Sequence, residues 1–300
     1  MRQETKDKRQ KTRDWNHLES RVSSLGSRIS GLKSPSLRAM DDLEVAVAAA
    51  RAGGAIVRDG FARSVIPEYK RQFDPVTATD HASEAVVLSV IAEHRPNDAI
   101  LAEESGGTIP EGRLWIVDPL DGTVNFVHGI PQISVSVALW EGDRPLVGVI
   151  YDPLRDECFS AATGHGAHLN GRPIAVSPVE SLSGSVAATG FPYDHGEFAD
   201  EYAQVVGAVL ASVNGIRRFG SAALDLAWVA AARYEAYWEL GLAPWDQAAG
   251  ILIVREAGGR VTDLLGIDSV PTTPLVLATN GLVHDGLQGI IEPLLPDRLR

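Results

Sequence analysis

Three hundred residues, 45% hydrophobic and with a formal charge of −12, hold enough apolar material for a folded body and exclude a wholly disordered chain. A single cysteine, Cys158, excludes an internal disulfide framework and a four-cysteine zinc site, and favours a reducing, cytoplasmic setting. No unbroken apolar run reaches the roughly 18 residues that a membrane span needs.

The charge is unevenly placed. Residues 1–40 carry ten Lys or Arg against four acids, a net +6, which leaves −18 on the rest. These first 40 residues are polar, basic and Ser/Gly-rich, and are expected to be a disordered extension. They lack the apolar core of a secretory signal, and their acids are foreign to an organellar transit peptide. Met40, the second of two methionines, is a candidate true start. The other reading of the extension is a basic arm for nucleic acid. The acidic body excludes broad nucleic-acid binding, which needs phosphate-neutralising Lys and Arg.

Order is expected from Asp41-Asp42, acids suited to a helix N-terminus. The Ala/Val-rich stretch Leu43–Phe61 has helical spacing, and so has Ala82–His94, stopped by Pro96. Ala99–Leu101 and Leu114–Val117 read as strands, the second ending where Pro119 forbids further pairing. Ile133–Trp140 and Leu146–Tyr151 alternate like strands, and short strands continue to about Val176. From Ser185 strands and helices interleave: strand Ser185–Thr189, helices Glu197–Val213 and Ser221–Arg233, strand Ala236–Glu239, helix Gln247–Glu256, strand Leu275–Ala278. The expected fold class is α+β passing into α/β, with an antiparallel-sheet half over residues 41–184 and an α/β half over 185–300.

The chemistry concentrates in WIVDPLDGTVNFVHGIP, residues 115–131. An apolar strand delivers Asp118 to its end, and Asp121-Gly122-Thr123 opens the next segment, so two carboxylates face one small volume. Gly122 lets the backbone approach a ligand closely. A helix starting at Thr123 would turn free N–H groups on an anion such as phosphate. Taken alone, the pair also fits an Asp turn followed by an Asp cap. Three further segments add acids: Glu103-Glu104 after a strand, Asp74 to Asp80 beside hydroxyls, and Trp245-Asp246 ahead of a small-residue helix. Each has a plain alternative: one Glu of the pair as a solvated surface acid, Asp246 as an N-cap.

The segments DPVTATD, AEES, WIVDPLDGTVNF and WDQAAG resemble the inositol monophosphatase family of magnesium-dependent, lithium-sensitive phosphatases. The resemblance runs from about Met40 to the C-terminus and implies a layered αβαβα sandwich of the sugar-phosphatase type. It implies two to three Mg²⁺ ions, with Mn²⁺ as a substitute and Li⁺ as an inhibitor. Glu103, Asp118 and the Leu120 carbonyl would hold the first ion, Asp118, Asp121 and Asp246 the second, and Glu103 a weaker third. Asp80 and Thr123 would orient and deprotonate the attacking water, and the N–H groups of Gly122 and Thr123 would hold the phosphate. Without cations such a cluster of carboxylates repels itself. Lys70, upstream of Asp74, receives no role. His128 is read as a turn residue, and neither it nor Cys158 as a nucleophile.

In inositol phosphatases the glutamate that matches Glu239 accepts hydrogen bonds from ring hydroxyls, and Ser221-Ala222 match a small loop near the same ring. The resemblance thus implies hydrolysis of myo-inositol monophosphate by a homodimer. The same chemistry on a sugar phosphate, fructose 1,6-bisphosphate, histidinol phosphate or a 3′-phosphoadenosine nucleotide is the alternative. A non-catalytic or RNA-associated regulator, binding through residues 1–40, is the alternative of another class. Trp228, Tyr234, Tyr237 and Trp238 read as core or dimer interface. Arg217-Arg218 fit a subunit contact, the site entrance or solvated surface.

Overall fold

The computed structural model describes residues 40–61, 63, 66–71, 74–192 and 199–295. The extension expected to be disordered lies, short of Met40, outside them. Helix α1 (Asp42–Gly60) starts at a capping box: Asp41 Oδ1 accepts from Glu44 N–H, and the Glu44 carboxylate accepts from Asp41 N–H. An antiparallel hairpin follows, β1 (Glu68–Arg71) with β2 (Asp74–Val76), which the apolar pattern of the sequence does not announce. Helix α2 (Ala78–His94) begins before the expected Ala82, because Thr77 and Asp80 form a second capping box.

Strands β3 (Ala99–Ala102), β4 (Arg113–Asp121), β5 (Ser134–Glu141), β6 (Arg144–Asp152), β7 (Glu157–Ala162), β8 (Ala167–Leu169) and β9 (Arg172–Ile174) build one sheet in chain order. Its pairs are antiparallel except β3 with β4, which run parallel. Pro119 does not end β4. The pairing breaks after Asp118, opposite Ser136, and resumes at Asp121, opposite Ser134. A Pro-bearing irregularity in mid-strand therefore turns both aspartates toward one region. Between β4 and β5 lies the short helix α3 (Thr123–Val127).

The chain then forms β10 (Val186–Thr189), α4 (Ala199–Leu210), β11 (Gly215–Arg217), α5 (Ala222–Ala230), β12 (Ala236–Leu240), α6 (Pro244–Glu256), β13 (Arg260–Thr262), β14 (Leu275–Thr279) and α7 (His284–Ile291). Helix α4 lies inside the expected Glu197–Val213. The second sheet has the order β11-β10-β12-β14-β13. β10 runs parallel to β11 and β12, as strand–helix–strand connections require, and β14 runs antiparallel to its neighbours.

Five layers result. α1 and α2 pack together on one face of the first sheet, and α5 and α6 fill the space between the sheets. α4 and α7 cover the outer face of the second. The central core joins Ile116, Trp140 and Phe159 of the first sheet to Leu226 of α5, Ile251 of α6 and Val276 of the second sheet. The outer core gathers Tyr202 and Val205 of α4, Trp238 and Leu277 of the second sheet, and Leu287 of α7. Because helices cover both faces of the first sheet, even Ser134 and Ser136 of β5 are buried. This is the expected αβαβα sandwich. Among the described residues no helix is long and apolar enough to cross a membrane.

Candidate active site

The site is assembled where β4 breaks. Asp118 is buried, and its Oδ1 accepts from Leu120 N–H at 3.0 Å, which holds the carboxylate inside the bend. Gly122 follows at φ 87°. A Cβ there would stand 2.8 Å from the Gln132 carbonyl oxygen, so only glycine lets the chain enter α3 this way. The first-turn N–H groups of α3 have no intrahelical partner.

Asp121 is fixed from behind. Its Oδ2 accepts from Ser221 Oγ at 2.5 Å, Ala223 N at 3.0 Å and Ser134 Oγ at 3.1 Å. Ser221 and Ala223 sit at the start of α5, so the second half of the chain clamps a carboxylate of the first. Asp246 comes from the first turn of α6. It is not an N-cap, as the sequence suggested: Ala243 holds that place, and Asp246 reaches back from the third helical position to accept from Ala243 N–H at 2.6 Å. Pro244, fitted to a first helical position, moves the helix start ahead of Asp246.

Thr123 Oγ1 lies 2.9 Å from Asp80 Oδ1 and 3.0 Å from the Leu120 carbonyl oxygen. With one hydroxyl proton it satisfies one acceptor at a time. The other Asp80 oxygen accepts from Thr77 N–H at 2.9 Å and Thr77 Oγ1 at 2.5 Å. Asp80 thus belongs to both the α2 capping box and the site.

Glu103, Asp118, Leu120, Asp121, Gly122, Thr123 and Asp246 all line one cavity of about 140 Å³, together with Asp74, Lys70 and Arg71. Its wall holds five acids and two bases. Arg71 binds Asp74 at 3.1 Å. Lys70 Nζ binds Glu103 Oε1 at 2.8 Å and Glu104 Oε1 at 2.6 Å. Lys70, given no role from sequence, is therefore a wall residue. Glu104 is not a solvated surface acid; its side chain is 4% exposed and its N–H is taken by Glu84. Ser221, Ala222 and Glu239 are not on the wall. The Ser221 hydroxyl serves Asp121, and Ala222 opens α5. Glu239 is the penultimate residue of β12, buried and bonded to the Tyr237 hydroxyl.

Burial lifts the proton affinity of these acids, and at Asp118 and Asp246 repulsion from neighbouring acids adds to it. Asp118 is raised well above the ordinary carboxylate range, with Glu103, Asp121 and Asp246 adding to burial. Asp246 is raised likewise by burial, Asp121 and Glu103. Asp121 is raised by burial against hydrogen bonds from Ser221, the Ala223 backbone, Ser134 and the Ala222 backbone. Glu103 is pushed up to about 7 by burial, against the pull of Lys70. Asp80 is pushed up to about 6 by burial, against its threonine donors.

Hard oxygen donors whose negative charge exceeds the cations facing them fit Mg²⁺. Among the described residues no three His, Cys, Asp or Glu side chains converge on one ready-made cation position. The acids share a wall rather than a point. Sequence reasoning missed Ser134 and Asn125. Ser134 was signalled by the polar phase of the β5 alternation. The Asn125 amide, in the loop-like TVNFV, reaches the carbonyl oxygens of Gln132, Phe219 and Gly220 at 2.8, 2.7 and 3.1 Å and ties α3 to the segment before α5.

The fold is thus an αβαβα sandwich that gathers buried carboxylates around the break in β4, beside a glycine-opened helix start. Residues 40–295 match the inositol monophosphatase family. Inositol-1-monophosphatase of Synechocystis is 46% identical over 250 residues, 82% of this chain and 86% of the relative. Nus factor SuhB of Escherichia coli K12 is 41% identical over 263 residues, 86% and 98% of the two chains. The solved inositol monophosphatase of Anabaena has a TM-score of 0.76 at 43% identity, covering 85% of this chain and 97% of its own. The chain belongs to the inositol monophosphatase family, as its motifs led us to expect, and is a phosphoric monoester hydrolase.

Proposed function

We propose that this chain hydrolyses myo-inositol monophosphate to inositol and phosphate in a Mg²⁺-dependent reaction without a covalent intermediate. The observation that carries the reading is the shared cavity of Asp118, Asp121 and Asp246 with the Thr123–Asp80 pair at 2.9 Å. Glu103, Asp118, the Leu120 carbonyl, Asp121 and Asp246 are the groups that would hold two to three ions. Bound there, Mg²⁺ supplies charge stabilisation for phosphate oxygens and an acidified water. Thr123 Oγ1 accepts a proton from the water as it passes its own to Asp80 Oδ1, whose raised proton affinity suits a base near neutral pH. The N–H groups of Gly122 and Thr123 bind phosphate oxygens at the start of α3. Glu239, an acceptor-only carboxylate, binds ring hydroxyls. No side chain is assigned as nucleophile, and Cys158 is buried in the first sheet.

Phosphate release with Mg²⁺ over a panel of esters tests the reading. Inositol 1-phosphate should exceed fructose 1,6-bisphosphate, histidinol phosphate and 3′-phosphoadenosine nucleotides in kcat/KM, Mn²⁺ should partly replace Mg²⁺, and Li⁺ should inhibit. Preference for another ester would keep the chemistry and replace the substrate. A homodimer belongs to the proposal, supported by Val124, Ile130 and Phe219, exposed apolar side chains around α3. Light scattering should then give about twice 32.1 kDa. The reducing setting implied by a lone buried cysteine makes the cytoplasm the proposed location. A second reading rests on the +6 of residues 1–40 and on relatives named as Nus factors. It requires salt-sensitive RNA binding that disappears when residues 1–39 are deleted.

A further inference from the structure

Glu239 stands on β12 two positions after Tyr237, so both side chains leave the same face of the strand. The Tyr237 hydroxyl donates to Glu239 Oε2, and Tyr237 is fully buried. On the parallel neighbour β10, Thr189 pairs with Trp238, and Thr189 Oγ1 donates to the Trp238 carbonyl oxygen at 2.9 Å. That bond locks the two strand ends together. The next residue, Gly190, lies directly against the Glu239 carboxylate. A Cβ on residue 190 would stand 1.8 Å from Oε2 and 2.3 Å from Oε1. The carboxylate therefore occupies the volume that any larger residue at 190 would fill. A glutamate near a strand end ordinarily samples several rotamers; this one is held at Oε2 by the Tyr237 hydroxyl, in a space that stays open only because residue 190 has no side chain.

We propose that Gly190 and Tyr237 are positioning residues that set ester selectivity by holding the Glu239 carboxylate in one orientation, with Oε2 bound to Tyr237 and Oε1 left for a polyol hydroxyl. The inference rests on the proposed role of Glu239 as a ring-hydroxyl acceptor and adds the two residues that make it selective. Neither touches the cavity wall of Asp118, Asp121 and Asp246, so their effect divides polyol esters from esters without hydroxyls.

The test compares kcat/KM for myo-inositol 1-phosphate and p-nitrophenyl phosphate, at saturating Mg²⁺, in the full chain. Tyr237→Phe removes only the hydroxyl and should lower the inositol-to-aryl ratio roughly 10-fold, the effect of losing a hydrogen bond to a charged group. Gly190→Ala leaves the Tyr237 hydroxyl in place but pushes the Glu239 carboxylate away from it; it should lower the ratio at least as much, since a shift of about 1 Å in a positioning group can cost ~100-fold. In both the loss should fall on KM for the inositol ester, as expected for binding made equally in ground and transition states. In a Glu239→Gln background Tyr237→Phe should change the ratio no further. Equal losses on both esters, or a ratio change that persists in that background, would overturn the proposal. If Glu239→Gln alone leaves the ratio unchanged, the substrate role of Glu239 fails and takes this inference with it. Should Tyr237→Phe fail to fold by thermal melting, Gly190→Ala, on a different strand, carries the same comparison.

Discussion

At the scale of single residues, Asp118, a proposed metal ligand, is expected to couple stability and function with opposite signs. It is 1% exposed, raised by burial and by three neighbouring acids, and answered inside the bend by the Leu120 N–H. Its raised folded-state proton affinity means that, without cations, the folded protein holds a proton that the unfolded chain releases. Stability of the metal-free protein therefore falls as pH rises from the ordinary carboxylate range through the raised value. Asp118→Asn removes that cost. We expect a higher melting temperature than wild type in EDTA at pH 8 and at least a ~100-fold loss of kcat with Mg²⁺. Calorimetry and phosphate release check the two halves. A variant that melts no higher would mean Asp118 is compensated without metal, and full activity would remove it from the metal scheme. Mg²⁺ should itself raise the wild-type melting temperature, and more at pH 8 than at pH 5, because protons compete for the same oxygens.

Elements differ in whether their caps also carry chemistry. Helices α1 and α2 both begin with a capping box, but the acid at the third position is Glu44 in α1 and Asp80 in α2. Asp41→Ala should cost about 1 kcal/mol of stability and leave kcat/KM unchanged. Thr77→Ala should cost a similar amount and also lower kcat, since it removes the hydroxyl bond to Asp80 and leaves only the backbone one. Urea midpoints and steady-state rates separate the two, and equal rates in both variants would show that Thr77 does not orient Asp80. The same pair marks what was legible in the sequence. Long elements with a clear period, such as α1, β5 and β6, were readable because burial imposes the period. The cavity carboxylates stand out as acids at the ends of apolar segments, but each alone also fits a turn, a cap or a solvated surface, and it is the resemblance of their motifs to one family that groups them. The β1–β2 hairpin was not: all four residues of β1 are exposed, so no apolar period marks it, and Lys70 went with it. The helical place of Asp246 was lost to a capping rule that fits Asp and Pro equally well one turn apart. The bond of the Ser221 hydroxyl to Asp121 was not legible, because a match to a substrate loop says nothing of the carboxylate packed behind it.

The whole molecule joins two sheets through a helical layer, and its pH response comes from both, with opposite signs. Deleting residues 1–39 should leave kcat/KM unchanged if residues 40–295, the span that matches the family, contain the enzyme. The second sheet carries its own titrating group away from the cavity. His284, fully buried at the head of α7, places Nε2 2.9 Å from Thr262 Oγ1 of β13 and Nδ1 2.9 Å from Thr279 Oγ1 of β14. A neutral imidazole has one donor and one acceptor, and a threonine hydroxyl can serve either. Protonation would bury a charge, and burial, aided by Arg260, pushes the imidazole down to about 4. The unfolded chain, titrating near 6.5, takes up the proton first. The stability that His284 contributes is therefore complete above about pH 6.5 and is lost as pH falls from there to about 4. The cavity acids run the other way, because their raised proton affinities favour the folded metal-free state at low pH. The two trends are separable by substitution. In EDTA, His284→Gln, which keeps one donor and one acceptor without a titrating proton, should fall less in urea midpoint between pH 6.5 and 4 than wild type. Asp118→Asn should leave that acid-side fall in place while raising the midpoint above pH 7. If His284→Gln tracks wild type across the whole range, the acid limb belongs to other groups and the histidine is only a hydrogen-bonded spacer between β13, β14 and α7.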